Sequence, residues 1–138
     1  MAFYEEENWP KGRWPNFSYE EMRCSHTGLC NIDEQFMDKL QGLRNEVGVS
    51  LVITSGYRDA THPIEAGKNS SGTGSHCLGK AADIRCSGAT AFSVIDKAIS
   101  LGFTGIGVSQ QGSLNNRFIH LDTLDDTGFV PRPTIWSY

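Results

Sequence analysis

Two short apolar segments near the C-terminal end restrict the fold of this chain more than any other feature. Residues 105–109 and 117–122 have the composition of strands, and only the turn-like stretch 110–116 separates them. A parallel pair would need a crossover of a dozen or more residues, so these two strands are expected to pair antiparallel. The segments 49–54 and 80–85 are also predicted to be strands.

Two helices are predicted around these strands. Asn31 can cap the first, and Gly48 can end it. The second is predicted over 90–101. The apolar residues on one side of the second helix are Phe92, Ile95 and Ile99. Because helices and strands mix without regular βαβ alternation, the sequence predicts an α+β fold with a small, mostly antiparallel sheet and helices packed mainly on one face.

The length of 138 residues suits a single domain over 1–138. Residues 1–16, rich in Trp, Pro and Gly, are expected to form an irregular arm, and 68–75 a flexible loop. The Pro-rich stretch 131–138 is expected to lack regular structure. A chain of this kind is expected to act as a monomer.

Charge and hydropathy exclude several classes of partner. The chain has 12 basic and 16 acidic residues, a net charge of −4, and no basic cluster, which argues against nucleic acid. No apolar run reaches the roughly 18 residues that a membrane helix needs. The first residues lack the basic and apolar regions of a signal peptide, so none is expected.

The four cysteines leave two interpretations open. Without a signal peptide, reduced thiols are the expected state. The alternative is a disulfide-stabilised surface protein that uses Trp9, Trp14 and Trp136 as a contact patch. The cysteines are Cys24, Cys30, Cys77 and Cys86.

Two histidines and one aspartate form a candidate set of metal ligands. His76 follows a glycine-rich loop, Asp83 lies inside the next strand, and His120 lies in the last one. Zinc accepts imidazole nitrogen and carboxylate oxygen, and catalytic zinc sites commonly keep three protein ligands and one open position. From the residues alone, a core histidine and an ordinary strand carboxylate remain equally open.

Alternation along the last strand puts Asp122 on the same face as His120, about 6–7 Å further on. Asp122 is therefore expected near the metal, either as a general base or as the group that holds a ligand imidazole. Arg58 ends another predicted strand. Its guanidinium can clamp a carboxylate or an oxyanion, or it can form an ion pair with Asp59 or Glu65.

Four motifs in this order resemble the zinc D-Ala-D-Ala metallopeptidase family, in its short bacterial and phage branch of peptidoglycan peptidases. The resemblance extends over residues 17–138. The motifs are SGYR at 55–58, Ser75-His76 followed by Gly79, Ala81 and Asp83-Ile84, FIHLD at 118–122, and Arg132-Pro133 followed by Trp136 and Tyr138.

The resemblance implies the small α+β fold that D-Ala-D-Ala peptidases share with the Hedgehog signalling domain. It implies one zinc ion bound by His76, Asp83 and His120. It also implies that Arg58 binds or polarises the substrate beside the scissile bond, with Tyr57 and Ser75 as further substrate-binding residues.

The position of the general base departs from the family pattern. Some branches place a catalytic acid three residues before the last ligand histidine, where this chain has Arg117. Asp122 is the best remaining acid on the expected face, so it is assigned the base role here, with His62 as the alternative.

The implied substrate is a bacterial peptidoglycan stem peptide, cut either as a D-Ala-D-Ala carboxypeptidase or as an endopeptidase. The implied context is a phage or prophage endolysin, made in the bacterial host cytoplasm, that reaches the cell wall after release or from a virion. The alternative is a zinc-stabilised, Hedgehog-like binding module without catalysis.

Overall fold

The computed structural model of the chain describes residues 2–68 and 72–138. Within the loop predicted over 68–75, residues 69–71 therefore lie outside the described residues. The helices are α1 (Tyr19–Met22), α2 (Glu34–Val47), α3 (Pro63–Ala66) and α4 (Gly88–Leu101). The strands are β1 (Ala2–Tyr4), β2 (Cys30–Ile32), β3 (Val52–Ser55), β4 (Ala81–Arg85), β5 (Gly105–Ser109), β6 (Phe118–Asp122) and β7 (Thr134–Ser137).

The main sheet has five strands in the order β3-β4-β6-β5-β7. All neighbours pair antiparallel except β5 and β7, which are parallel, and β1 and β2 form a separate antiparallel pair. The predicted α+β class, the mostly antiparallel sheet and the antiparallel pairing of β5 with β6 are thus confirmed.

The sheet separates an apolar face from a polar one. Ile119 and Leu121 of β6 are fully buried in the core beside Ile84 of β4, with α2 and α4 supplying the facing side chains. On the opposite face, Asp83 of β4 lies in register with His120 of β6. Because strand side chains alternate, this face brings together the polar residues that the sequence singled out.

Helix α2 begins two residues later than predicted, because Asn31 belongs to strand β2. Asp33 is the capping residue, and its carboxylate accepts from the backbone N–H of Phe36 at 2.9 Å. Gly48 ends the helix in the left-handed conformation (φ 77°), as predicted.

Of the three large apolar residues predicted on one side of helix α4, only Ile95 packs against the core, and it is partly buried. Phe92 is 79% exposed and Ile99 57% exposed. Small side chains face inward instead and pack within the core that includes α2. The buried residues of α4 are Ala91, Val94 and Ala98.

The N-terminal arm is more regular than predicted. Ala2–Tyr4 is a strand paired with β2, and Trp9 and Trp14 are buried. The two indole rings pack on each other with centroids 5.2 Å apart. The irregular-arm prediction was therefore wrong for Ala2–Tyr4, whereas residues 9–16 form turns and loop as predicted. The proposed surface patch of tryptophans is contradicted, since Trp9 and Trp14 are in the core.

The C-terminal stretch is also ordered: Thr134–Ser137 forms β7 beside β5, although the sequence predicted no regular structure there. All four cysteines are free thiols, which contradicts the disulfide alternative. In the described part of the chain, no helix has the length and apolar character to cross a membrane.

Candidate metal centre

The three predicted metal ligands lie together on the polar face of the sheet. One ligand atom from each of His76, Asp83 and His120 lies within 4.8 Å of the others. Asp83 Oδ1 is 3.4 Å from His76 Nε2 and 3.1 Å from His120 Nδ1. Both imidazoles are buried, at 4% and 5% exposure. The antiparallel register of β4 and β6 sets two of the ligands side by side, and the turn before β4 supplies the third.

The other nitrogen of each ring has a partner that fixes the ring's orientation. His76 Nδ1 lies 2.7 Å from the carbonyl oxygen of Gly56, to which it can donate. His120 Nε2 lies 2.8 Å from Asp122 Oδ2. When both rings donate in these contacts, His76 Nε2 and His120 Nδ1 are left as acceptors facing Asp83 Oδ1. An acceptor nitrogen is what a metal ion requires of an imidazole.

Asp122 lies beneath His120 and is completely buried. Arg132 donates two hydrogen bonds to the Asp122 carboxylate, from Nε to Oδ1 at 2.9 Å and from Nη2 to Oδ2 at 2.8 Å. Burial raises the pKa of Asp122, but hydrogen bonds from His120 and Arg132 outweigh this effect and lower the pKa to about 2. A carboxylate that is buried, weakly basic and hydrogen-bonded through both oxygens is a poor general base. The contacts therefore favour the other role predicted for Asp122, which is to hold the ligand imidazole of His120 in position.

Two glycines of β5 make room for this arrangement. A Cβ at Gly105 would overlap the carboxylate of Asp122, and a Cβ at Gly107 would lie 2.7 Å from Trp136 Nε1. Trp136 packs on His120 with ring centroids 5.1 Å apart, and the Arg132 guanidinium lies 5.2 Å from the Trp136 ring centroid. The alternating glycines in GIGVS therefore allow the side chains of Asp122 and Trp136 to lie close to the backbone of β5.

Charge on the ligands follows from these contacts. Burial raises the pKa of Asp83, but hydrogen bonds from His120 and His76 lower it well below its usual range. Burial lowers the pKa of His120, but hydrogen bonds to Asp122 and Asp83 outweigh this effect and raise it. In the metal-free protein, a proton on His120 thus competes with a cation for the same carboxylate-rich site.

Arg58 reaches the site from the end of β3. Its Nη2 donates to Asp83 Oδ2 at 3.2 Å and its Nε to Ser55 Oγ at 2.9 Å, and only 11% of its side chain is exposed. Asp83 therefore turns one oxygen toward the two histidines and the other toward Arg58.

These residues border a cleft of about 440 Å³. Arg58 and Ser75, for which the family resemblance implied a substrate-binding role, both line it. Tyr57 is buried and lines a neighbouring cavity instead, with its hydroxyl 3.5 Å from Asp59. The full lining is Arg58, Ile64, Lys68, Ser75, His76, Asp83, Phe118, His120, Arg132, Trp136 and Tyr138.

No role at the metal centre or in the cleft was predicted for Arg132, Trp136 or Tyr138, although all three belong to the last of the four motifs. Their position in that motif was the available signal. The alternative base, His62, lies outside the cleft lining: its Nδ1 accepts from the backbone N–H of Ile64 at 3.2 Å, and its Nε2 lies 3.3 Å from Ser25 Oγ.

A comparison of the sequence with protein-family models supports the family resemblance of the four motifs. A family model described as Peptidase M15 matches residues 15–122, which include all three candidate ligands. No curated protein gave a significant match. The chain belongs to the Peptidase M15 family, the zinc D-Ala-D-Ala peptidases whose motifs it shares, and it is accordingly a peptidase.

Proposed function

We propose that this peptidase is zinc-dependent and hydrolyses an amide bond in peptidoglycan stem peptides. The observation that carries the proposal is the convergence of one ligand atom each from His76, Asp83 and His120, all within 4.8 Å of one another, beside an open cleft. Two imidazoles and one carboxylate are a donor set that zinc accepts in catalytic sites. Membership of the Peptidase M15 family supports the same reaction class.

The residues divide into ligands and groups that hold the ligands. His76, Asp83 and His120 would bind one zinc ion, which when bound polarises a carbonyl group and lowers the pKa of water. The Gly56 carbonyl keeps a proton on His76 Nδ1, and Asp122 keeps one on His120 Nε2. Both rings thus present their second nitrogen to the ion without a change of tautomer.

Asp122 is proposed as a positioning residue in place of its predicted role as general base. Its oxygens are occupied by His120 and Arg132, and none of its surface is exposed to the cleft. Carboxylates behind a ligand histidine fix its orientation and raise its basicity, and their loss typically costs 10–100-fold in metal affinity.

Arg58 is proposed to bind the substrate beside the ligands. A guanidinium has five N–H donors, and three of them are used by Ser55, Glu65 and Asp83. A carbonyl or oxyanion in the cleft can accept from the others, where low exposure strengthens the interaction. Ser75 lines the same cleft and offers a hydroxyl.

We also propose that the enzyme is an endolysin-type cell-wall peptidase of phage or prophage origin. It would be made in the bacterial host cytoplasm and would meet its substrate outside it. The net charge of −4 gives no general attraction to an anionic wall, so recognition should depend on the cleft. Carboxypeptidase and endopeptidase action would use the same ligands.

The test is incubation of the zinc-loaded protein with purified peptidoglycan and with a defined muropeptide, followed by mass spectrometry of the products. Loss of a terminal D-Ala indicates a carboxypeptidase, and an internal cut an endopeptidase. The matched control is His120→Ala. Stoichiometric zinc without any product would instead favour the Hedgehog-like binding module and overturn the proposed reaction.

A further inference from the structure

A second buried carboxylate lies behind the ligand set. Glu65, on the four-residue helix α3, is 2% exposed. Within residues 2–68 and 72–138, it is the one buried acid besides Asp122, and its hydrogen-bond partners are Arg58, Lys68 and Cys77, none of which is a candidate ligand. Burying a carboxylate is costly unless its charge is compensated.

Three donors surround this carboxylate. Oε2 accepts from Arg58 Nη1 at 3.2 Å and from Lys68 Nζ at 3.3 Å, and Oε1 accepts from Cys77 Sγ at 3.2 Å. Burial raises the pKa of Glu65, but these hydrogen bonds and the nearby Lys68 charge outweigh it and lower the pKa. Glu65 is therefore an ionised group held in one orientation.

Arg58 joins Glu65 to the ligand Asp83. Its Nη1 bonds to Glu65 Oε2 and its Nη2 to Asp83 Oδ2, both at 3.2 Å. A guanidinium is planar and rigid. The position of the Glu65 carboxylate therefore sets the angle at which the guanidinium meets the carboxylate of Asp83. Ser55 Oγ accepts from Nε and fixes the third side of the group.

We propose that Glu65 is a positioning residue that acts through Arg58 to keep Asp83 Oδ1 turned toward the metal site. This inference rests on the proposed zinc-dependent function. With Glu65 in place, the Arg58 guanidinium is shared between two carboxylates, and it bonds to only one oxygen of Asp83. With a neutral residue at position 65, Arg58 is free to pair with both oxygens of Asp83, as arginine–carboxylate pairs commonly do, and to compete with zinc for Oδ1.

The test measures the zinc affinity of the purified full chain by competition with a chromophoric chelator. Glu65→Gln keeps the size of the side chain and removes its charge, and we expect about 10–100-fold weaker zinc binding. The matched control is Glu34→Gln, which removes a carboxylate from another arginine pair (Arg13 Nη1 to Glu34 Oε2, 2.9 Å) outside the cleft lining and should leave zinc affinity unchanged.

A double-mutant cycle separates positioning from a merely structural role. In an Arg58→Met background, Glu65→Gln should cause no further loss of zinc affinity, because the connection to Asp83 is already gone. Circular dichroism checks that each variant is folded, and Arg58→Lys replaces Arg58→Met if the latter is not. Lysine cannot bridge two carboxylates as a fixed fork.

Wild-type zinc affinity in Glu65→Gln, or an equal loss in both Arg58 backgrounds, would overturn the inference while leaving the proposed function standing. Failure of the wild-type protein to bind zinc would overturn the proposed function itself, and the positioning inference with it.

Discussion

Replacing Gly105 by alanine tests whether the space beneath His120 is required for the metal centre. The new Cβ would overlap the carboxylate of Asp122. Asp122 cannot move away freely, because it is fully buried and bonded to His120 and Arg132. We therefore expect Gly105→Ala to break part of this network.

The size of the effect follows from the bonds at stake. Arg132 makes two hydrogen bonds to Asp122, and hydrogen bonds to charged groups contribute about 1.5–3 kcal/mol each. Breaking a buried ion pair typically costs about 3–5 kcal/mol. The free energy of unfolding should fall by about 3 kcal/mol, and zinc affinity by at least 10-fold because His120 loses its orienting partner.

Urea unfolding of the metal-free variant measures the first effect, and chelator competition the second. Gly42→Ala is the matched control: Gly42 lies inside α2, and the nearest atom to its Cβ would be Leu101 Cδ2 at 4.0 Å. That change should raise stability by about 0.5–1 kcal/mol, as alanine in a helix does. A Gly105→Ala protein with wild-type stability and zinc affinity would refute the reasoning.

Three further outcomes are expected. The pKa of Asp122 is lowered from 3.8 to about 2, so the stability that its charged form contributes is complete above pH 3.8 and is lost as the pH falls through 2. The difference in the free energy of unfolding between wild type and Asp122→Asn should therefore shrink by about 2 kcal/mol between pH 5 and pH 2. Urea titrations measure this difference, and a constant value would contradict the prediction. His120→Ala should lose zinc and hydrolysis together, by metal analysis and product assay, and retention of stoichiometric zinc would remove His120 from the ligand set. Thiol titration should give four free thiols in denaturant and slow reaction of the three buried ones in the native protein, whereas a lower count would indicate a disulfide.

The clustering of the three candidate ligands was predictable from strand alternation together with the order of the motifs along the chain. His120 and Asp83 lie on β6 and β4, and antiparallel pairing of these strands brings them into register. The choice between the two roles of Asp122 was not predictable in the same way. It depends on Arg132, ten residues further on, which reaches Asp122 because the following segment pairs with β5.

The helix α4 shows a second limit. Phe92 and Ile99 form a good apolar stripe at helical spacing, yet the buried side carries alanines and Val94. Close packing in the core selects small side chains, and periodicity alone cannot say which of two apolar sides faces inward. The prediction that residues 131–138 lack regular structure was wrong for a related reason. Strand β7 is stabilised by its pairing with β5, which the composition of the segment does not reveal.

The parallel strand β7 has a consequence for how this architecture can diversify. The residues that would hold the ion all lie within 15–122, whereas Trp136, against His120, and Tyr138, at the cleft wall, come from the last strand and the residue after it. Exchanging Trp136 or Tyr138 would reshape this part of the cleft wall without replacing any of the three candidate ligands. Part of the cleft wall is thus encoded outside the stretch that carries the three candidate ligands, which makes the last strand a natural place to change the shape of the cleft.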